Sequence, residues 1–354
     1  MDGSPGSRSM KAVVVHGPAD LRVDERPVPV PGPGQALIRV EWGGICGSDL
    51  SYVARGASGT SVLERPMVLG HEVAGRVEQV GSGVEGIPTG LRAAVMPATY
   101  PDGADLPERI AGRTNLHPGV RYLGSAGSDP HTDGGFAEYL VVRAEQLRTL
   151  PDCVDTRRGS LAEPLGVALH AVRRAESVLG GPLAGREVMV NGSGPIGLLI
   201  TALLRHIGAG HVTATDVSPL SLSLAASVGA DRTVDVTAQD VPSDIELVFE
   251  ASGAAGSLGP VLRAVARGGV VVQVGNLPTT SVDAVLGDLV TREVTWAGSF
   301  RFVDEMTDAI EMLADGLVVD PVVTHEFDAA SAREAFATAA DGSAGSSKVL
   351  IRFD

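Results

Sequence analysis

Cysteine is scarce in this chain: Cys46 and Cys153 are the only two among 354 residues. So few exclude a disulfide framework and fit a reducing, cytoplasmic setting, and any thiol chemistry must use one of the two. Long apolar runs are missing as well. Nothing approaches the roughly 20 uninterrupted apolar residues that span a bilayer, so no membrane segment is expected. Basic charge is in deficit, with 28 Lys and Arg against 43 Asp and Glu and a net charge of −15. A field of that sign opposes nucleic acid and anionic lipid, which leaves small molecules as the expected partners. Residues 1–10 are polar and rich in Gly and Ser, without an apolar core or a small-residue cleavage site. They read as a disordered lead-in, not a secretory signal.

What remains is ordinary globular material, 44% apolar and 20% charged. The length exceeds that at which one hydrophobic core stops growing, so two domains are expected. From residue 11 to about 152, short β-rich runs (11–15, 36–41, 75–80, 136–142) alternate with Gly and Pro, the pattern of an antiparallel, barrel-like domain. After about residue 156 the rhythm changes to strands at 187–191, 211–216, 245–250 and 270–274 alternating with helical stretches, which predicts a doubly wound parallel sheet. A further β-rich run at 296–302, a helix at 304–314 and a strand at 348–353 suggest that the last fifty or so residues return to the first domain. The expected boundaries are therefore 11–155 with 300–354, and 156–299. No internal repeat stands out, and the low-complexity stretch 339–347 reads as a loop.

The strand-like Glu187–Asn191 runs straight into Gly192, Ser193, Gly194, Pro195, Ile196 and Gly197, and then into an apolar helix. This is a GxGxxG in the strand-to-helix context that a dinucleotide requires. Gly192 makes the tight turn, Gly194 lets backbone approach a pyrophosphate, and Gly197 permits close packing of helix on strand. Asp216 ends the next strand-like run. A carboxylate there accepts the ribose hydroxyls and repels a 2′-phosphate, so NAD is expected over NADP; the competing reading is a helix N-cap ahead of Ser218 and Pro219. Val274 and Gly275, at the end of a later strand, are assigned to the same cofactor.

Three separated segments carry possible metal ligands: Cys46, the pair His71 and Glu72, and Glu163. Singly, a Cys is more often a small buried apolar residue and a His a hydrogen-bonded core residue. Together they change the reading. Gly70, His71, Glu72 and Gly75 match a GHExxG element, and with the GxGxxG loop the chain resembles the medium-chain dehydrogenase/reductase family over nearly its whole length. That resemblance implies a GroES-like β-rich catalytic domain, a Rossmann nucleotide-binding domain, and zinc held by Cys46, His71 and Glu163, with Glu72 as an alternative or exchanging ligand. Glu at the third position, with the runs 162–170, 216–219 and 298–302, is similar to the family's polyol branch, including its sugar-acid members. A Cys, a His and a carboxylate with one open position also suit catalytic zinc on chemical grounds, since structural zinc is closed by four protein ligands.

Further roles follow from the resemblance. Ser48 matches the proton-relay hydroxyl, against a turn-capping reading. Tyr52 and Arg301 match residues lining the substrate pocket, where Arg301 offers forked donors to a hydroxyl pair or a carboxylate, against a solvent-facing salt bridge. The expected activity is hydride transfer between a secondary alcohol of a polyol or sugar acid and NAD(P); sorbitol, xylitol and threonine are alternative substrate types. A zinc-free quinone or enone reductase and a non-catalytic dinucleotide-binding protein are the rivals. Two departures stand out. Residues 97–124 contain no Cys, so the four-cysteine structural zinc of many relatives is not expected and one zinc per chain is predicted. Ser51 stands where relatives place a relay His. The family also implies a homodimer or homotetramer.

Overall fold

Valine, isoleucine and alanine alternate with small turn residues in the first part of the chain, and β-branched side chains favour a pleated, half-buried backbone. The computed structural model describes residues 8–101, 106–342 and 345–353, and they divide into two units. One comprises the residues up to Glu163 together with those from Val323 onward; the other is Pro164–Val322.

In the first unit the strand Gln35–Gly44 is central. It pairs antiparallel with Glu72–Val80, Tyr139–Arg143 and Lys348–Arg352. Glu72–Val80 passes the sheet on to Arg92–Val95 and Leu147–Thr149, and Val323–Asp328 closes the other side, parallel to Lys348–Arg352. The parallel pair is joined through the helix Ala332–Ala340, as a parallel connection requires a crossover. The core gathers Val13, Ile38, Val40, Leu69, Val73, Phe336, Ile351 and Phe353 around Phe136, whose ring stacks 6.0 Å from that of Phe353. The expected lead-in stops short of residue 10. Ser9–Gly17 is a strand, with Ala12, Val13, Val14 and Val15 all fully buried; residues 1–7 lie outside the described ones. Residues 102–105 of the Cys-free lobe and 343–344 of the low-complexity loop also lie outside them.

The second unit is a six-stranded parallel sheet in the order Arg232–Asp235, His211–Asp216, Glu187–Asn191, Ile245–Glu250, Val265–Gln273, Thr295–Gly298. By order of appearance in the chain this reads third, second, first, fourth, fifth, sixth, the doubly wound arrangement that turns direction beside its first strand. Val188, Met189 and Val190 are successive yet all fully buried, because a parallel strand is covered on both faces. Residues 300–322 fall in this unit instead of the first. Thr295–Gly298 adds to the edge of the parallel sheet, and the helix Glu305–Ala314 is tied to the helix Ala162–Leu179 by His170 Nδ1 on Glu305 Oε1 at 2.9 Å. The chain thus returns to the first unit at Val323. Among the described residues no helix is long and apolar enough to cross a membrane.

Candidate functional site

Cys46 lies just beyond the strand Gln35–Gly44 and immediately before the helix Gly47–Arg55, with extended backbone angles. Its N–H donates to Asp49 Oδ2 at 2.9 Å, and the N–H of Gly70 donates to Asp49 Oδ1 at 3.2 Å. One wholly buried carboxylate thereby fixes the two backbone segments that carry Cys46 and His71. Gly70 has φ of +94° and a Cβ there would lie 2.2 Å from the Phe136 ring, so only glycine turns the chain at this point and delivers His71 beside Cys46. Glu72 follows and starts the next strand.

Cys46, His71 and Glu72 each present one ligand atom, and these atoms lie within 4.8 Å of one another. His71 and Glu72 are buried and Cys46 half-buried. The compact trio is closed by Glu72, the alternative ligand of the sequence reading, while Glu163 stands outside it. Glu163 lies in the first turn of the helix Ala162–Leu179 and its Oε1 accepts the Tyr122 hydroxyl at 2.6 Å. The Tyr122 ring in turn meets that of His71 edge-on, with centroids 5.6 Å apart. On the far side of Glu72, Lys348 Nζ donates to both carboxylate oxygens at 2.7 Å and to the Ile45 carbonyl at 3.0 Å. An ammonium has three protons, and all three are used.

Acidic groups outnumber cations here, and two of the carboxyls hold their protons more tightly than usual. Burial raises the Asp49 and Glu163 carboxyls above the ordinary carboxylate range, against the opposing pull of His71. Burial by itself would lower His71, but Asp49, then Cys46 and Glu163, outweigh it and raise the imidazole well above its usual value. A thiol, an imidazole and carboxylates brought together and short of positive charge fit a divalent cation, which would displace the protons.

The other expected residues are distributed unevenly. Ser48 is half-buried in the first turn of the helix that Cys46 precedes. Tyr52, expected to line a substrate pocket, is 2% exposed and packs in the core of the first unit, with its hydroxyl accepting the Ala126 N–H at 3.0 Å. It sits on the inward face of its helix, and its one polar atom is engaged with backbone. Ser51 donates to the Gly47 carbonyl at 2.9 Å, a bond within its own helix. Arg301 lies in the second unit with φ of +51°, its guanidinium 5.0 Å from the centre of the Phe300 ring.

In the second unit the glycine loop takes the form its sequence demands. Gly192 has φ of +91°, and a Cβ on it would come 2.6 Å from the Ser252 nitrogen; a Cβ on Gly197 would meet the Gly192 carbonyl at 1.8 Å. Above Gly194 there is open space. The helix Pro195–His206 starts here with Pro at its first turn and no side chain capping it, which leaves its N-terminal N–H groups for an anion. That opening and those donors fit a pyrophosphate. Asp216 Oδ2 accepts the Ser193 N–H at 2.6 Å, beside the loop, and Oδ1 accepts the Ser218 N–H at 2.9 Å. Ser218, not Asp216, caps the helix Pro219–Ser227. The N–H groups of Val274 and Gly275 both donate to the Glu250 carbonyl at 2.9 Å, which places them at the same carboxyl edge of the sheet.

Asp49, Tyr122, Lys348 and Glu250 had escaped the sequence reading. Each is buried and bonded to at least one partner far from it in the chain. Only Asp49 had a local signal, its place three residues after Cys46.

Residues 32–152 match the alcohol dehydrogenase GroES-like domain family and residues 195–315 the zinc-binding dehydrogenase family. Human sorbitol dehydrogenase is 37% identical over 340 residues, covering 92% of each chain. The structure of L-idonate 5-dehydrogenase from Escherichia coli superposes with a TM-score of 0.90 at 33% identity, over 98% of this chain and 99% of that one. A protein from Sinorhizobium meliloti described as a zinc-binding dehydrogenase and bound to NADP gives a TM-score of 0.86 at 32% identity, over 98% and 99%. Matches to both domain families and to these relatives thus extend over nearly the whole chain, which belongs to the polyol branch of the zinc-containing medium-chain dehydrogenase/reductase family.

Proposed function

We propose that the protein oxidises a secondary alcohol of a polyol or sugar acid, of the kind L-idonate represents, to the keto compound with NAD as hydride acceptor. The observation that carries this reading is the convergence of Cys46, His71 and Glu72 ligand atoms within 4.8 Å in a buried setting. When bound, zinc supplies Lewis acidity to the substrate hydroxyl and the nicotinamide takes the hydride.

The protein's own groups do the rest. Cys46, His71 and Glu72 hold the ion, one per chain, and Glu163 lies beside them, held by Tyr122, as a fourth group able to bind the ion or orient the substrate hydroxyl. Ser48 takes the alcohol proton outward. The turn Gly192–Gly197 with Pro195 and Ile196 seats the pyrophosphate, Asp216 the ribose, and Val274 and Gly275 border the rest of the cofactor. Arg301 is assigned to a substrate carboxylate or hydroxyl pair, because a protein with net charge −15 needs a local cation to attract an anionic substrate. The working form is a homodimer or homotetramer.

The test joins metal analysis to a panel of neutral polyols, aldonic acids and amino acids assayed with NAD and NADP. One zinc per chain with NAD-dependent turnover of polyols or aldonic acids is expected. A zinc-free protein that reduces quinones or enones would overturn the proposal.

A further inference from the structure

Glu250, the last residue of the strand Ile245–Glu250, is wholly buried, and its carboxylate is ringed by neutral donors. Oε1 accepts from Asn191 Nδ2 at 3.1 Å, from the Ser252 N–H at 3.0 Å, from the Ser252 hydroxyl, and from the Ser257 hydroxyl at 3.2 Å. Oε2 accepts from the Gly253 N–H at 3.2 Å and from Gln273 Nε2. A buried charge is costly unless many hydrogen bonds compensate it. An apolar side chain would fill the same space without that cost, so the arrangement calls for a reason beyond packing.

The reason lies in what the donors belong to. Asn191 ends the first strand of the sheet and accepts the Thr215 hydroxyl of the second at 2.8 Å. Gln273 ends the fifth, donates to the Gly275 carbonyl at 2.8 Å and accepts from Trp296 Nε1 of the sixth at 3.3 Å. The Ser252, Gly253 and Ser257 donors all lie in the loop after Glu250, and the Glu250 carbonyl holds Val274 and Gly275. These loops are pressed together. A Cβ on Gly275 would come 2.2 Å from the Gly253 nitrogen, and one on Gly253, at φ of +65°, would come 2.7 Å from the Asn276 carbonyl oxygen. The carboxylate therefore ties the loop 251–257 directly, and the loop 274–276 by way of Gln273, to the carboxyl ends of the strands.

The loop 251–257 follows the fourth strand, which with the first flanks the reversal of strand order, and the loop 274–276 lies next to it after the fifth. In such sheets a dinucleotide lies across the reversal, one half on each side. Asp216 marks the adenosine side on the second strand, so the loops beside Glu250 border the other half. We propose that Glu250 is a positioning residue that holds these loops as the floor for the nicotinamide half of the dinucleotide. This rests on the dinucleotide reading of the preceding section.

The test compares binding of NADH and of AMP, which lacks the nicotinamide half, by calorimetry on folded wild-type and Glu250→Gln proteins. Glutamine keeps the shape but turns an N–H₂ toward groups that are themselves donors. NADH affinity should fall about tenfold and AMP affinity less than twofold, with KM for NAD rising more than kcat falls. Equal loss for both ligands, or no loss for either, would overturn the proposal. If Glu250→Gln does not fold, the Ser252→Ala/Ser257→Ala protein decides instead. It removes two of the tethers, and a threefold weakening of NADH alone is expected, with unchanged binding counting against the role. Should the wild-type protein bind neither NADH nor NADPH, the dinucleotide reading falls first and this role with it.

Discussion

Lys348 donates to both carboxylate oxygens of Glu72, each at 2.7 Å, with neither side chain more than 3% exposed. The pair neutralises one negative charge next to Cys46 and His71 and holds Glu72 in the orientation that completes the ligand trio. Burial alone would lower the Lys348 ammonium, but Glu72 above all, then Cys46 and Glu163, raise it, so the lysine stays charged.

Replacing Lys348 with Met therefore strands a buried carboxylate. Breaking a buried pair from one side costs about 3–5 kcal/mol, and the zinc-depleted protein should lose stability on that scale. Added zinc should restore part of it, because the cation takes over the charge. Thermal unfolding of depleted and reloaded protein reads this directly, and an unchanged midpoint for the depleted variant would contradict the role.

Metal content separates the two glutamates. Cys46→Ala, His71→Ala and Glu72→Ala should each reduce zinc from one per chain to well below one after dialysis. Glu163→Ala should retain most of it, since that carboxylate lies outside the trio. Retention in Glu72→Ala with loss in Glu163→Ala would reverse the assignment.

Cofactor choice tests Asp216. The change Asp216→Ser removes the charge that repels a 2′-phosphate, and the ratio of kcat/KM for NAD to that for NADP should fall at least tenfold. An unmoved ratio would mean that the carboxylate serves only the Ser193 and Ser218 N–H groups.

Acid stability tests the helix pair of the second unit. Burial would raise the Glu305 carboxyl, but His170 above all, with the N–H of Val303, outweighs it and lowers the carboxyl from 4.5 to about 2. A depressed carboxylate contributes stability above its unfolded value and loses it as pH falls. Roughly 3 kcal/mol should disappear between about pH 4.5 and pH 2. Urea unfolding from pH 5 to pH 2.5 should show a steeper decline for the wild type than for Glu305→Gln, and equal slopes would refute the assignment.

Much of this architecture is legible in contiguous sequence. The turn from Gly192 to Gly197 can be read because every residue that shapes it is a neighbour in the chain, and Gly70, His71 and Glu72 are legible for the same reason. The helices Gly47–Arg55 and Ala162–Leu179 were not. The first opens on Gly47, Ser48 and Asp49, residue types common in turns, and the second carries Pro164 and Gly166 near its start, residue types that usually interrupt helices. Residues 300–322, expected with the first domain, lie in the second unit, because the period of the helix Glu305–Ala314 says nothing about which partner it will pack on.

What the amino-acid order determined by itself was two domains by length and the short-range devices: the glycine loop, the His-Glu pair and the position of Cys46 in the chain. Which carboxylate joins the thiol and imidazole was decided only in three dimensions. Glu72 is brought in by a strand that Lys348 braces from the far end of the chain, while Glu163, bonded to Tyr122, lies outside the compact trio. Buried charges choose their neighbours by desolvation and hydrogen bonding across the folded core, and neither force leaves a trace in local sequence.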